Sequence, residues 1–201
     1  MNLKKFNNLV DLFFDQASKQ NSQTVFLEWL NPINKKKFTW SQTVSSVIKL
    51  AITLQKYIKE GDRVLLISEN RPEWLISDLA IMLAKGITVP TYTTYTEKDY
   101  QYLIEDCEPS VVILSNNNIN KKIEKFILEK NFIKKVITFD VVSSALNKEK
   151  YIDFKSATKE DLVDNDILKN INLKRNSPAC IIYTSGTGGD PKGVILSHGG
   201  I

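Results

Sequence analysis

Short runs of branched apolar residues recur along this chain, and a stretch with helical spacing separates each run from the next. The runs span residues 64–67, 87–89, 111–114 and 136–139, and each is too short for a buried helix. Parallel strands cannot be joined by a tight turn, so a helix usually crosses the sheet between them. Strands that are covered on both faces read as continuous apolar runs. The pattern therefore predicts an α/β domain with a parallel-type sheet covered by helices.

The segments around these strands carry helix and turn signals. Apolar residues at helical spacing predict a first helix over 3–17, and a second helix is predicted over 41–59 with Gly61 just past its end. Asn70 is predicted to cap the next helix, with Glu73 at the capping-box position. The other predicted elements are a strand hairpin of 24–30 and 37–40, a helix that stops at Gly86, helices over 96–106 and 119–130, a strand at 181–183, and a surface excursion over 143–177 with one helix near 159–168.

Residues 183–193 form a loop of glycine, hydroxyl and lysine residues between two apolar runs, with the sequence Tyr-Thr-Ser-Gly-Thr-Gly-Gly-Asp-Pro-Lys-Gly. Glycines let backbone N–H groups converge on an anion, and the hydroxyl groups and the lysine add donors. This composition predicts a polyphosphate site. The loop is not a Walker A loop, because Pro191 precedes the lysine and an apolar strand follows it. It is not a dinucleotide fingerprint either, because Pro191 stands where the third glycine is needed. The structural alternative is a glycine-rich turn of a β-hairpin.

The loop resembles the phosphate-binding loop of the adenylate-forming enzymes, the superfamily of acyl-CoA synthetases, luciferases and peptide-synthetase adenylation domains. The usual form there is Tyr-Thr-Ser-Gly-Thr-Thr-Gly-x-Pro-Lys-Gly, and only Gly188, where threonine is usual, departs from it. The chain is also similar to the N-terminal portion of long-chain acyl-CoA synthetases from about residue 38 to 115 and again from 178, in the segments 38–41, 61–64, 68–74, 78–80, 86–90, 96–106 and 111–115. Residues 69–74 favour the long-chain branch, whereas 116–177 carry no family signature.

The resemblance implies a fold, a reaction and a set of site residues. The implied enzyme is an ATP-dependent acid–thiol ligase that forms acyl-AMP from a fatty acid with release of pyrophosphate and then passes the acyl group to CoA. Mg²⁺ is implied as the cofactor that accompanies ATP, with Thr184 as its ligand, and Lys192 is implied as the catalytic residue. The residues implied to bind the nucleotide are Thr184, Ser185, Gly186, Thr187, Gly188, Gly189 and Lys192.

The position of the loop near residue 201 adds an expectation about the extent of the chain. Members of the superfamily continue past this loop with adenine- and ribose-binding motifs, an acyl pocket, a hinge and a small C-terminal domain that carries a further lysine. Residues 1–201 are therefore expected to be the N-terminal part of an AMP-binding domain, without the rest of the large domain and the C-terminal lid domain, and to be inactive alone. The alternatives are a ligase for another carboxylic acid and a non-catalytic nucleotide-binding module. Acyl chain length and oligomeric state are left open.

Charge and hydropathy do not favour a nucleic-acid partner, a signal peptide or a membrane span. The net charge is only +4 and the lysines are scattered, which does not favour nucleic acid as a partner. Polar residues at 7, 8 and 11 interrupt the apolar core that a signal peptide needs, and no apolar run approaches the ~20 residues of a membrane span. We expect a cytoplasmic protein whose membrane contact, if any, is peripheral and on the inner face.

The remaining candidate residues are predicted to have structural roles. Cys107 and Cys180 are expected to be buried, reduced thiols. His198 has no second histidine or nearby cysteine with which to bind zinc, so it is predicted to end a strand, with nucleotide contact as the alternative. Packing roles are also predicted for Trp29, Trp40, Trp74, Tyr92, Tyr95, Tyr100 and Tyr102.

Overall fold

The computed structural model describes residues 6–31, 35–143, 148–159, 166–169, 171–185 and 190–201. The elements within these ranges are, in chain order, α1 (Leu9–Ser18), β1 (Val25–Trp29), β2 (Lys36–Thr39), α2 (Trp40–Gln55), β3 (Arg63–Ile67), α3 (Pro72–Leu83), β4 (Ile87–Thr91), α4 (Glu97–Cys107), β5 (Val111–Leu114), α5 (Asn117–Glu129), β6 (Lys135–Thr138), β7 (Tyr151–Asp153), α6 (Phe154–Ala157), α7 (Asp166–Lys169), β8 (Pro178–Thr184) and β9 (Lys192–Ser197). A short 3₁₀ turn, Lys148–Lys150, precedes β7.

A central sheet joins most of these strands in the order β7-β6-β5-β3-β4-β8-β9. Every neighbouring pair from β7 to β8 is parallel, and β9 runs antiparallel to β8 at the edge. The predicted parallel-type sheet is thus confirmed, with one antiparallel strand added. The predicted hairpin is confirmed too, since β1 and β2 pair antiparallel apart from the large sheet.

Both faces of the sheet are covered, as its wholly apolar strands predict. Val64 and Leu66 of β3 belong to a core shared with α1, α2, α3 and α6, whereas Leu65 and Ile67 belong to a second core shared with α4 and α5. All four side chains are inaccessible to solvent. Since burial of one such side chain contributes roughly 1.5–3 kcal/mol, the register of β3 is strongly fixed.

The start of α3 differs from the prediction. Its N-cap is Arg71, whose side chain makes no capping hydrogen bond, and Pro72 occupies the first helical position. Proline is favoured there because its fixed φ suits the helix and it has no N–H to satisfy. The predicted caps Asn70 and Glu73 are therefore wrong, because the helix begins one residue later than a capping box would need. The predicted start of α4 is confirmed, since Thr96 and Asp99 form a reciprocal capping box.

The first two helices are also shorter than predicted, since α1 begins later and α2 ends earlier. Asn8 caps α1 by accepting a hydrogen bond from the Asp11 amide at 2.8 Å, so residues 6–8 precede the helix, and residues 1–5 lie outside the described ranges. Helix α2 ends at Gln55. Gly61 does adopt a left-handed φ of +83°, but in the turn into β3, where its N–H donates to the Lys85 carbonyl at 2.9 Å.

The predicted surface excursion over 143–177 is wrong in part. β7 pairs parallel with β6 and extends the sheet, and Phe154, Ala157 and Leu173 are buried in the core. A three-residue strand and a four-residue helix are too short to produce a detectable period, so the sequence gives no signal for them. Residues 160–165, where most of the predicted helix falls, lie outside the described ranges, and the short α7 covers its end.

Candidate functional site

The predicted phosphate loop lies at the tip of the hairpin formed by β8 and β9. The register pairs Thr184 with Lys192 and Tyr183 with Gly193, so residues 185–191 connect the two strands. A hairpin turn and a phosphate site were alternatives from sequence alone, but the observed hairpin is compatible with both. Gly186, Thr187, Gly188 and Gly189 lie outside the described residues.

The strand ends bring the outer members of the predicted site together. Thr184 is the last residue of β8, Ser185 follows it, and Lys192 is the first residue of β9; all three are exposed. The Lys192 ammonium makes no ion pair or hydrogen bond with the residues that the structure describes. Two hydroxyl groups and one lysine thus face solvent at the base of the glycine loop. This arrangement suits a polyanion that approaches from solvent.

A cavity of about 690 Å³ adjoins this end of the hairpin. Its walls come from the segment after β4, from α4 and from the hairpin, and its lining residues are Tyr92, Tyr95, Lys98, Asp99, Tyr102, Leu103, Ile182, Tyr183, Thr184, Ser185, Asp190 and Pro191. Of the four tyrosines predicted to pack, three line this cavity. Tyr100 alone is fully buried, and its hydroxyl donates to the Tyr92 carbonyl at 2.7 Å. The volume lies within the range typical of small-molecule sites.

Helix α4 contacts both arms of the hairpin. The Tyr102 hydroxyl donates to the Pro191 carbonyl at 2.8 Å, and the Tyr183 hydroxyl donates to the Asp106 carboxylate. The two tyrosine rings meet edge to face, with their centroids 6.5 Å apart. Burial and the neighbouring Asp106 raise the pKa of Tyr183 well above its ordinary value, so its phenol stays protonated and able to donate.

Gly193 leaves room for the Tyr183 ring. A Cβ at this position would lie 2.8 Å from Cγ2 of Ile181 and 3.3 Å from Cζ of Tyr183. The first distance is shorter than Cβ atoms allow and the second is tight, so a larger residue would force the Ile181 side chain to move and would press on the ring that reaches Asp106. The last glycine of the predicted loop motif therefore has a packing role here.

The carboxylate Glu73 lies in an ion-pair cluster that sequence reasoning missed. The Arg71 guanidinium donates to Glu73 through Nε at 3.0 Å and Nη2 at 3.1 Å, and to Asp140 through Nη1 at 3.0 Å and Nη2 at 3.1 Å. Lys36 Nζ also donates to Glu73 at 2.6 Å. Burial alone would raise the pKa of Glu73, but the bonds from Arg71 and Lys36 outweigh it and hold the pKa below its ordinary value.

The other candidate residues are structural, as predicted. His198 follows β9 and is buried, and its Nδ1 accepts a long 3.5 Å hydrogen bond from the Leu9 amide. Burial also lowers the pKa of His198. Cys107 and Cys180 are free and buried, and burial raises the pKa of Cys107 to about 12. Trp40 and Trp74 pack against the first core.

No cluster of three or more histidine, cysteine or acidic side chains suited to a metal ion occurs among the described residues. This does not conflict with the implied Mg²⁺, because Mg²⁺ is usually held by one or two protein oxygens together with substrate phosphates and water. The exposed Thr184 hydroxyl fits such a single oxygen ligand.

In the part of the chain that the structure covers, every helix is too short or too polar to cross a membrane. The cytoplasmic location stays a prediction.

Comparisons with known proteins agree on one family. The family described as AMP-binding enzyme matches residues 13–201. The chain is 28% identical over 194 residues to the long-chain-fatty-acid–CoA ligase ACSBG2 of Gallus gallus, covering 92% of this chain and 24% of that protein. It is 32% identical over 170 residues to ACSBG2 of Mus musculus, covering 80% of this chain and 24% of the relative. The chain thus spans about a quarter of the length of these curated relatives.

A solved structure shares the fold. The crystal structure of the anthranilate CoA ligase AuaEII in complex with anthranoyl-AMP matches with a TM-score of 0.77 and 20% identity, over 96% of this chain and 35% of that chain. At this identity the likeness concerns the fold alone. It agrees with a mostly parallel sheet covered by helices on both faces.

Proposed function

Since the chain belongs to the AMP-binding enzyme family, we propose that it supplies the phosphate-binding loop of a long-chain fatty acid–CoA ligase. The observation that carries the proposal is the family match over 13–201, which includes the loop on the β8–β9 hairpin. The names of the relatives support a long-chain fatty acid as the substrate. Residues 1–201 are proposed to form the N-terminal part of the AMP-binding domain. The acyl pocket, the adenine and ribose contacts and the C-terminal lid are assigned to the rest of the enzyme.

In the proposed first step, a carboxylate oxygen of the acid attacks the α-phosphorus of ATP. The bond between that phosphorus and the oxygen bridging to the β-phosphate breaks, and pyrophosphate leaves with the electron pair. A carboxylate is a poor electrophile, and the acyl-AMP anhydride makes its carbonyl open to attack. The thiolate of CoA then attacks this carbonyl and AMP leaves, which completes the thioester.

The proposed role of this chain is to hold the β- and γ-phosphates. Lys192 would place its positive charge against the oxygens that become more negative as pyrophosphate departs. The hydroxyl groups of Thr184 and Ser185 would donate to the same phosphates, together with the loop residues 186–189. Such positioning lowers the barrier without any covalent intermediate on the protein. Bound Mg²⁺ would supply further charge neutralisation, with the Thr184 hydroxyl as a ligand.

The exchange of labelled pyrophosphate into ATP tests this proposal. The protein is produced from the complete reading frame that contains this chain and is assayed with hexadecanoate, benzoate, anthranilate and a mixture of amino acids. We expect hexadecanoate to stimulate the exchange and the other acids to leave it near background. Stimulation by aromatic or amino acids alone would show a ligase for another acid, and tight ATP binding without exchange under any acid would show a non-catalytic nucleotide-binding module.

A further inference from the structure

The two arms of the β8–β9 hairpin, one on each side of the glycine loop, are both hydrogen-bonded to α4. Tyr183, which binds Asp106, directly precedes Thr184, and Pro191, which accepts from Tyr102, directly precedes Lys192. Thr184 and Lys192, the outermost of the predicted nucleotide-binding residues, therefore each adjoin a residue held by α4. We propose that Tyr102 and Asp106 of α4 are positioning residues that fix the two ends of the loop for ATP. The proposal rests on the proposed function of the loop as a phosphate site.

Helix α4 is a firm anchor for these contacts. Its N-terminus is closed by the Thr96–Asp99 capping box, and Tyr100 and Ile104 are buried in the second core. Tyr102 and Asp106 are four residues apart, so their side chains project from one face of the helix. That face is turned toward the hairpin, as the bonds to Tyr183 and Pro191 show.

The hairpin presents the Tyr183 ring and the space beside Gly193 to this face of α4. The Tyr102 and Tyr183 rings meet edge to face, and their hydroxyl groups make separate bonds, that of Tyr102 to the Pro191 carbonyl and that of Tyr183 to Asp106 on the helix. Gly193, opposite Tyr183, leaves the space that the ring occupies. The contacts join residues that are 77 and 89 positions apart in sequence, so they fix the hairpin against the body of the domain.

Anchored ends should matter most when ATP binds. A glycine-rich loop loses much conformational freedom when it orders around a ligand, and that loss opposes binding. Fixing both ends lowers the remaining loss, so the anchors should strengthen ATP binding without touching the phosphates. They should act on the KM for ATP more than on kcat at saturating ATP.

Variants that remove single hydroxyl groups test this proposal in the full-length protein. We expect Tyr102→Phe and Tyr183→Phe each to raise the KM for ATP by about threefold to tenfold, the size of one ordinary hydrogen bond. The kcat and the KM for the acid should change less than about twofold. Tyr57→Phe is the matched control, since Tyr57 lies beside β6, which three strands separate from β8, and its hydroxyl makes no hydrogen bond within the described residues.

A double-mutant cycle isolates the bond between Tyr183 and Asp106. Asp106→Ala removes the acceptor of this bond together with a negative charge near the loop, and the loss of that charge by itself favours ATP. This charge effect is present with and without the Tyr183 hydroxyl, so it cancels in the coupling. We expect the double variant Tyr183→Phe/Asp106→Ala to show no additional loss of affinity beyond that of Tyr183→Phe. Fully additive effects would overturn the assignment of Asp106.

Hydrogen–deuterium exchange separates this proposal from the proposed function. Amides in a peptide covering 184–193 should exchange about threefold faster or more in Tyr102→Phe and Tyr183→Phe, because the hairpin ends open more often. Faster exchange together with a lack of ligase activity in the wild type would contradict the proposed function and leave the anchor standing. Unchanged exchange in both variants would overturn the anchor, whatever the activity.

Discussion

The Lys192 side chain reaches solvent at the first residue of β9, across the hairpin from Thr184. In the proposed reaction its charge opposes negative charge that grows on pyrophosphate, so its effect should be larger in the transition state than in the bound substrate. We predict that Lys192→Ala lowers the rate of acyl-AMP formation by roughly 10²-fold, as loss of one preorganised donor commonly does. The KM for the fatty acid should stay within about twofold of the wild type. Single-turnover release of pyrophosphate measures the first quantity directly.

An exposed lysine on another element provides the control for this variant. Lys121 lies on α5 and is exposed, so Lys121→Ala changes the net charge equally but leaves the hairpin intact. We expect it to behave as the wild type. If Lys192→Ala kept wild-type adenylation kinetics, the lysine would have no part in the mechanism.

At the level of single residues, the sequence predicts local features better than distant contacts. The loop motif predicts Thr184 and Lys192 as site residues, and the pairing in the hairpin brings them opposite each other. Tyr102 was placed only as a packing residue, because its bond to Pro191 depends on how α4 lies against the hairpin. No spacing rule along the chain encodes that contact. Glu73 was misassigned for a similar reason, since two of its partners are Arg71 next to the helix and Lys36 on β2.

At the level of elements, the cluster around Arg71 joins three parts of the fold. Its side chain, 2% exposed, links Glu73 of α3 to Asp140 just after β6, and Lys36 of β2 completes the cluster on Glu73. Arg71 also lies over the Trp29 ring of β1 at 4.6 Å from its centroid. Removal of the guanidinium would leave the Glu73 carboxylate, 4% exposed, with Lys36 as its remaining cation. We predict that Arg71→Met lowers the free energy of unfolding at pH 7 by about 3–5 kcal/mol, measured by urea denaturation.

The same cluster predicts how this loss depends on pH. The folded-state pKa of Glu73 lies below its unfolded value of about 4.5, so the stabilisation is present above pH 4.5 and disappears as the pH falls through the folded pKa. The difference in unfolding free energy between wild type and Arg71→Met should therefore shrink on acidification below about pH 4.5. Arg71→Met/Glu73→Gln should recover part of the stability at pH 7, since no buried carboxylate remains. A difference that stayed constant from pH 7 to pH 3 would show that lost packing, and not the ion pair, causes the effect.

The elements that the sequence predicts best are those with a complete local signal. β5 was predicted with its observed bounds because four consecutive apolar residues fill both faces of the sheet, and the start of the helix predicted over 96–106 agrees with the Thr96 cap of α4. β7 was missed because three residues carry no period and only its pairing with β6 defines it. The bounds of α2 were too long because apolar residues continue past Gln55 into the turn, where Ile58 is buried without being helical.

At the level of the whole molecule, the hairpin that carries the glycine loop also forms one edge of the central sheet. β9 has β8 on one side and no strand on the other among the strands that the structure describes. It exposes 44% of Val194 and 62% of Ile195, on opposite faces of the strand. An apolar edge strand with unpaired backbone groups is a template for pairing with another chain. The loop proposed to hold ATP begins and ends on this same hairpin.

We therefore predict that a polypeptide of residues 1–201 alone self-associates through β9 and binds ATP weakly. Ile195→Lys should reduce self-association in analytical ultracentrifugation, because a charge on an edge strand opposes pairing. Val25→Lys is the matched control on β1, where the side chain is 44% exposed, and it should leave association unchanged.

Pairing of β9 with a second chain would also constrain the loop, so the predicted weak ATP binding is measured by titration calorimetry on monomeric Ile195→Lys. ATP binding in the low micromolar range, roughly −8 kcal/mol, would show that residues 1–201 suffice as a nucleotide-binding module. Weak binding would agree with a site whose remaining contacts lie in the rest of the enzyme, because the loop alone must then bear the whole entropic cost of ordering around triphosphate.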